Sequence, residues 1–240
     1  MTFLWAAATD AGRVRGHNED ALWPLPGPSG TASGEAELPL LAAVADGMGG
    51  HVGGEVASRL AIEAAAASSG SAVERVRAAN AAVVGTALDR PRLAGMGTTM
   101  TLALFDNGTL EIGHVGDSRA YLYRDGALAQ VTRDHSLMAD MIASGELTPA
   151  QAAVHPFRSV VTRAIGMESR VVVDRVERDL LPGDRVLLCT DGLTTMVADA
   201  DIAGFLADAS APDAAAALIA AANRAGGLDN ISVVVVDLPR

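Results

Sequence analysis

The stretch Thr98–Thr132, TTMTLALFDNGTLEIGHVGDSRAYLYRDGALAQVT, alternates apolar runs with tight-turn signals. TTMTLALF and TLEIGHV flank Asp106-Asn107-Gly108, and AYLYR and ALAQVT flank Asp125-Gly126. Asn-Gly and Asp-Gly pairs accept the positive φ that a hairpin turn needs. Four strands joined by short connections predict an antiparallel meander.

Outward from this centre the pattern changes. FLWAAATD (3–10) reads as a first strand, and WPLPGPSGTASGEAELP (23–39) as a polar loop before the strand LLAAVAD. Residues 53–68 and 71–89 carry apolar residues at helical spacing, although Asn80 and Gly85 weaken the second segment. Residues 136–144 predict a short helix, and Thr148-Pro149-Ala150-Gln151 is a capping box with proline at the first helical position. RVVVDRVER and DRVLLCTD predict strands around Pro182-Gly183-Asp184. Helices near 198–208 and 212–225 follow, the second stopping at Gly226, and ISVVVVD is the last strand. Strands and helices do not alternate regularly, so antiparallel sheets with helices packed outside fit better than a doubly wound parallel sheet.

Composition narrows the function. The 240-residue chain is 50% hydrophobic, enough for a sizeable core. It contains no uninterrupted apolar run of about 18 residues, so no membrane span is expected, and the N-terminus does not read as a secretory signal. One cysteine, Cys189, excludes an internal disulfide framework and fits a reducing compartment. The net charge of -11 argues against nucleic acid as a partner. That acidity reflects either solubility or carboxylates gathered around cations. All 18 basic residues are arginine, which removes every chemistry that needs a Walker, kinase or Schiff-base lysine.

The carboxylates share one kind of position. Glu19 and Asp20 sit in RGHNED, Asp46 at the end of a strand in VADGMGGHVGG, and Asp117 in HVGDSR. Asp191 ends the strand VLLCTD, and Asp229 precedes the last strand. A strand holds a carboxylate rigidly, and a following glycine (Gly47, Gly192) lets the backbone approach a ligand. Carboxylates that converge raise one another's pKa unless hard cations such as Mg²⁺ or Mn²⁺ intervene. No His/Cys cluster has zinc spacing.

Taken in order, TDAGRVRGHNED, VADGMGGHVGGEVAS, GMGTTMTLALF, GHVGDSRAYLYRDG, VTRDHSL, HPFRSVVTRAIG, LLCTDGL and LDNISVVVV resemble the metal-dependent, type 2C serine/threonine protein phosphatases in their bacterial form. The resemblance covers nearly the whole chain. It implies an α+β fold, with two antiparallel sheets packed as a sandwich and helices on both outer faces. It implies one catalytic domain over 1–240 with a flap at about 134–165. The implied activity is hydrolysis of phosphoserine and phosphothreonine in proteins by a metal-bridging water or hydroxide. By resemblance Asp46 would bridge two ions, Mn²⁺ or Mg²⁺. Asp191 and Asp229 would complete one ion's shell, and Glu19 with the Gly47 carbonyl the other's. Asp20 would orient bound water, Asp117 with Asp191 would hold a third ion, and Arg15 would grip the substrate phosphate. Gly49 and Gly50 would keep the mouth of the site clear.

One position departs from the eukaryotic pattern. Met48 stands where those relatives carry a histidine proposed as general acid, which leaves His17, His51 or a metal-bound water as proton source. Cysteine-phosphatase chemistry is not expected of Cys189, because Thr195 holds the place of the required arginine. His114 reads as structural, His135 and His155 as flap histidines that contact substrate or merely pack, and Ser159 as a neighbour of the third ion. Met96, Met100 and Met138 read as packing. The expected partners are phosphorylated proteins and a cognate serine/threonine kinase, for a cytoplasmic monomer. The alternatives are a phosphoprotein-binding module without turnover, and a phosphatase acting on anti-sigma-factor antagonists, whose known members lack the arginine seen here at Arg15.

Overall fold

The computed structural model describes residues 2–25, 30–49 and 53–239. His51 and Gly50 lie outside the described residues. The strands are β1 (Phe3–Asp10), β2 (Ala21–Trp23), β3 (Thr31–Ala36), β4 (Leu40–Ala45), β5 (Gly47–Met48), β6 (Gly97–Thr98), β7 (Met100–Asp106), β8 (Thr109–Val115), β9 (Arg119–Arg124), β10 (Ala127–Gln130), β11 (Asp174–Asp179), β12 (Arg185–Cys189) and β13 (Ile231–Asp237). The helices are α1 (Gly53–Ala67), α2 (Ala72–Asp89), α3 (Leu137–Ala143), α4 (Pro149–Ala153), α5 (Asp191–Thr194), α6 (Asp199–Ala207) and α7 (Ala211–Arg224).

Two antiparallel sheets stack face to face. One runs β10-β9-β12-β13-β1-β3, the other β11-β8-β7-β4-β2. Their inner faces bury Phe3, Leu22, Val44, Phe105, Ile112, Leu188 and Val234 in one cluster. The Phe3 and Phe105 rings meet with centroids 5.6 Å apart. A second cluster sets α5, α6 and α7 against the outer face of the first sheet, through Leu193, Ile202 and Leu218. A third sets α1 and α2 against the other sheet, through Ala57, Ile62, Val76 and Val83. The order of layers is therefore helix, sheet, sheet, helix, as expected. β13 lies between β12 and β1 with both faces covered, which is why its sequence is an unbroken apolar run. The alanine-rich helices pack closely because alanine buries no polar atom and costs no side-chain entropy. Among the described residues no helix is long and apolar enough to cross a membrane.

Three expectations need correction. The meander is split: β7 pairs with β8 and β9 with β10, but β8 and β9 belong to different sheets. Gly116-Asp117-Ser118 is the crossover, so Asp117 sits at the edge of the sandwich. The segment 23–39 is not simply a loop. Trp23 closes β2, and β3 is an edge strand on β1, with Gly34 leaving room for the Trp5 ring. Small residues and a half-exposed position hid it. The third concerns 170–178, where only Asp174–Asp179 joins the ladder, while Val171 and Val173 pack onto the α1/α2 layer.

Asn80 did not interrupt α2. Its side chain is buried, accepts from Gly166 N–H at 2.9 Å and donates to Glu168 C=O at 3.0 Å, tying the helix to the chain after β6–β10. Removing a buried partner strands those groups without water. Asn80→Ala is expected to lower unfolding free energy by about 1–3 kcal/mol, read from urea denaturation; an unchanged midpoint would mean that the tie contributes nothing.

Candidate active site

The candidate residues come together at one end of the sandwich. Arg15, Glu19, Asp46, Gly47, Asp117, Asp191 and Asp229 line one cavity of about 540 Å³, with His17, Met48, Gly49, Thr99, Ser159 and Asn230. Asp20 is not on its wall. It lies behind, where its Oδ2 accepts from Thr190 Oγ1 at 2.8 Å and Ser232 Oγ at 2.7 Å.

Strand ends and short connections position these groups. Asp46 follows β4, and its N–H donates to Thr99 Oγ1 at 2.9 Å while its carbonyl accepts from Thr99 N–H at 2.9 Å. The same Thr99 hydroxyl lies 2.7 Å from Ser118 Oγ, so it links the strand end before Asp46 to the crossover carrying Asp117. Asp191 is not the end of a strand, as the sequence suggested. β12 stops at Cys189, and Asp191 opens the helical turn α5. Gly192 then packs on the chain before β13, where a Cβ would stand 1.9 Å from the Asn230 carbonyl oxygen. Gly47 is enclosed likewise, and a Cβ there would lie 2.3 Å from Gly54 O and 2.5 Å from Glu19 O.

Asn230 is a residue the sequence reading missed. It is buried. Its Oδ1 accepts from Glu19 N–H at 2.8 Å, and its Nδ2 donates to His17 C=O at 2.8 Å and Ala11 C=O at 3.1 Å. The 11–19 loop with Arg15 and Glu19 is thereby fixed to β13. The only signal was an Asp-Asn pair before a strand, which ordinarily means a turn.

The electrostatics are strained. Burial first, and the neighbouring carboxylates next, push Asp46 well above the usual carboxylate range. Burial and Asp191 push Asp117 up to about 7. Burial raises Asp20 to about 7 against the pull of the Ser232 and Thr190 hydroxyls. Asp191 is raised by burial and Asp229. Among the described residues, Asp20 Oδ1 and Asp191 Oδ1 are buried without a hydrogen-bond partner. Arg15 reaches Asp229 at 2.7 Å across the mouth. Such a set suits hard cations that take carboxylate oxygens. Among the described residues no three acidic, histidine or cysteine side chains close into a cage for a single ion. The carboxylates share one cavity, so a cation bound there would draw them together and fill its remaining positions with water.

The remaining candidates separate. Ser159 lines the cavity with Asp117 and Asp191. Gly49 adopts φ +123° and approaches Met96. Met96, Met100 and Cys189 are buried, and burial pushes the thiol up to about 12, which fits packing. His155 stacks near Phe157, 5.7 Å between centroids, and is not on the cavity wall. His135 is buried at the root of the 134–165 segment, not presented to substrate. Its Nδ1 accepts from Gly116 N–H at 3.0 Å, and its Nε2 faces Asp174 at 3.1 Å. His114 is structural: Nε2 donates to Arg133 C=O at 3.0 Å, so Nδ1 accepts from Thr101 Oγ1 at 2.9 Å.

Two outcomes follow from these contacts. Asn230→Ala frees the loop, and kcat/KM is expected to fall at least about tenfold with a loss of about 1–3 kcal/mol in stability; steady-state kinetics and urea melts on one preparation test both. Burial, then His135, lowers His114 to about 4 from 6.5. Above pH 6.5 the ring is neutral in both folded and unfolded chains. Between 6.5 and 4 the unfolded chain takes a proton that the native ring refuses, so native stability falls with pH, by about 3 kcal/mol at the limit. His114→Asn removes the titrating ring, so whatever it costs at pH 7 it is expected to lose less further stability than the wild type from pH 7 to 4.5. Parallel loss in both proteins would contradict the assignment.

Comparison with known proteins identifies relatives of this chain. The sequence profile described as Protein phosphatase 2C matches residues 17–224. The chain is 40% identical over 248 residues to the serine/threonine protein phosphatase PstP of Mycobacterium tuberculosis, covering 99% of this chain and 45% of that protein. It thus spans less than half the length of that relative. It is 36% identical over 243 residues to the serine/threonine phosphatase stp of Listeria welshimeri, covering 95% and 93%. The crystal structure of the PstP catalytic domain in complex with two manganese ions superposes with a TM-score of 0.86 at 38% identity, covering 100% of both chains. The chain belongs to the protein phosphatase 2C family.

Proposed function

We propose that this chain is a metal-dependent protein serine/threonine phosphatase. The observation that carries the proposal is the gathering of Glu19, Asp46, Asp117, Asp191 and Asp229 in one cavity with an arginine at its mouth. With adjustment of their side chains, Asp46, Asp191 and Asp229 would hold one Mn²⁺ or Mg²⁺ ion, and Asp46, Glu19 and the Gly47 carbonyl a second. Asp117 with Asp191 would hold a third. Cations bound there would activate water at neutral pH and offset charge on the phosphoryl oxygens.

The chain's own groups do the rest. Arg15 is planar, always charged and exposed at the mouth, and exchanges its contact with Asp229 for the phosphate oxygens of an incoming phosphoresidue. Thr99 and Asn230 hold the backbones of Asp46 and Glu19, which fixes the points from which these carboxylates reach into the cavity. Asp20 is anchored through one oxygen by Thr190 and Ser232, which leaves the other to orient water. Met48 has no proton to give, and His17 is the described histidine on the cavity wall. Residues 134–165 form the flap of a single catalytic domain. Phosphorylated proteins are the substrates, a serine/threonine kinase supplies them, and the protein works as a cytoplasmic monomer. The arginine at Arg15 favours this client class over anti-sigma-factor antagonists.

Phosphate release from a phosphothreonine peptide, with Mn²⁺ and with EDTA, tests the proposal. Turnover is expected only with metal, and Asp191→Asn is expected to lower kcat/KM at least about 100-fold. Metal-dependent peptide binding without release would instead support a binding module.

A further inference from the structure

A second cavity opens directly off the first. It measures about 620 Å³ and shares Arg15, Asp117, Ser159, Asp191 and Asp229 with it. Beyond those residues the lining is mixed: Arg119 and Asp134 pair with each other at 2.7 Å, Arg158, Thr194 and Thr195 add polar surface, and apolar side chains gather on two sides. Met138, Ile142 and Ala153 form one wall, from the flap helices α3 and α4. Met196 and Leu228 form the other, from the turn after α5 and the loop before Asp229. Leu228 is 51% exposed, and Ile142 and Met196 are half-buried, so these side chains face the groove without a full complement of neighbours.

A phosphate group alone has no use for such an extension. A polypeptide whose phosphorylated side chain enters the first cavity must lay its adjacent residues along the surface, and this groove is continuous with that cavity. Where Met138 and Ile142 face Met196 and Leu228 the two apolar patches favour an aliphatic side chain, and unbranched methionines adapt to its shape. We propose that the groove between the flap helices and α5 binds the substrate segment beside the phosphoresidue and selects an aliphatic side chain there. The inference rests on the phosphatase function proposed above and specifies which phosphoproteins it would act on.

The test uses phosphothreonine peptides of one length in which leucine, glutamine or aspartate is moved through the positions flanking the phosphoresidue. A small aryl phosphate serves as a substrate that cannot reach the groove. For the wild type with Mn²⁺, leucine at one flanking position is expected to raise kcat/KM about tenfold over glutamine, a preference the size of a partly buried aliphatic side chain. The readout is the leucine-to-glutamine ratio measured on one protein, so altered turnover cancels. That ratio is expected to collapse toward unity in Ile142→Glu, and also in Leu228→Gln, whose exposed position tolerates a polar residue. Hydrolysis of the aryl phosphate and of every peptide without a leucine preference would overturn the groove assignment and leave the phosphatase function standing. A preference that survives in both variants would overturn it as well. No hydrolysis of any substrate would remove the phosphatase function and this inference with it.

Discussion

The constraint on which the rest depends is the crowding of carboxylates at one end of the sandwich. Burial and mutual repulsion hold Asp46, Asp117, Asp20 and Asp191 above the range in which an aspartate normally ionises. A flexible chain would relax by turning these groups into water. Here they stand at strand ends, a crossover and the first turn of a short helix, all anchored to two packed sheets. The apolar layers between and outside the sheets supply the stability that this arrangement consumes.

Polar clamps transmit that rigidity to the site. The Thr99 hydroxyl links Asp46 to Ser118, Asn230 links the Arg15–Glu19 loop to β13, and Thr190 with Ser232 holds Asp20. None of these clamps contributes a charge. Each fixes a charged neighbour without adding to the repulsion. The catalytic surface is therefore built from loops that behave as parts of the sheets, while the flap with α3 and α4 is joined through the buried contact of His135 with Gly116.

Much of this was legible in the sequence because it is local. Apolar periodicity located the long helices, the Thr148 capping box located the start of α4, and Asn-Gly and Asp-Gly located the hairpin turns. The carboxylate positions were legible as an ordered set, and the cavity contains Glu19, Asp46, Asp117, Asp191 and Asp229 together. What escaped was non-local. Whether β8 and β9 share a sheet depends on pairing with β11 and β12, far away in the chain. β3 has small side chains and one paired edge, so its composition resembles a loop. Asn230 and His135 act through hydrogen bonds to backbone more than a helix-length distant in sequence, and no local pattern announces such a contact.

The most direct test of the central claim is the thermal midpoint of wild type and Asp46→Asn, each without metal and across a Mn²⁺ titration. If the fold holds these carboxylates in repulsion that cations relieve, Asp46→Asn melts higher than the wild type without metal, because one buried carboxylate is gone. Mn²⁺ then raises the wild-type midpoint steadily, as ligand binding to the native state requires, and raises the variant much less. A variant that melts lower without metal, or a wild-type midpoint that Mn²⁺ leaves unmoved, would contradict the claim.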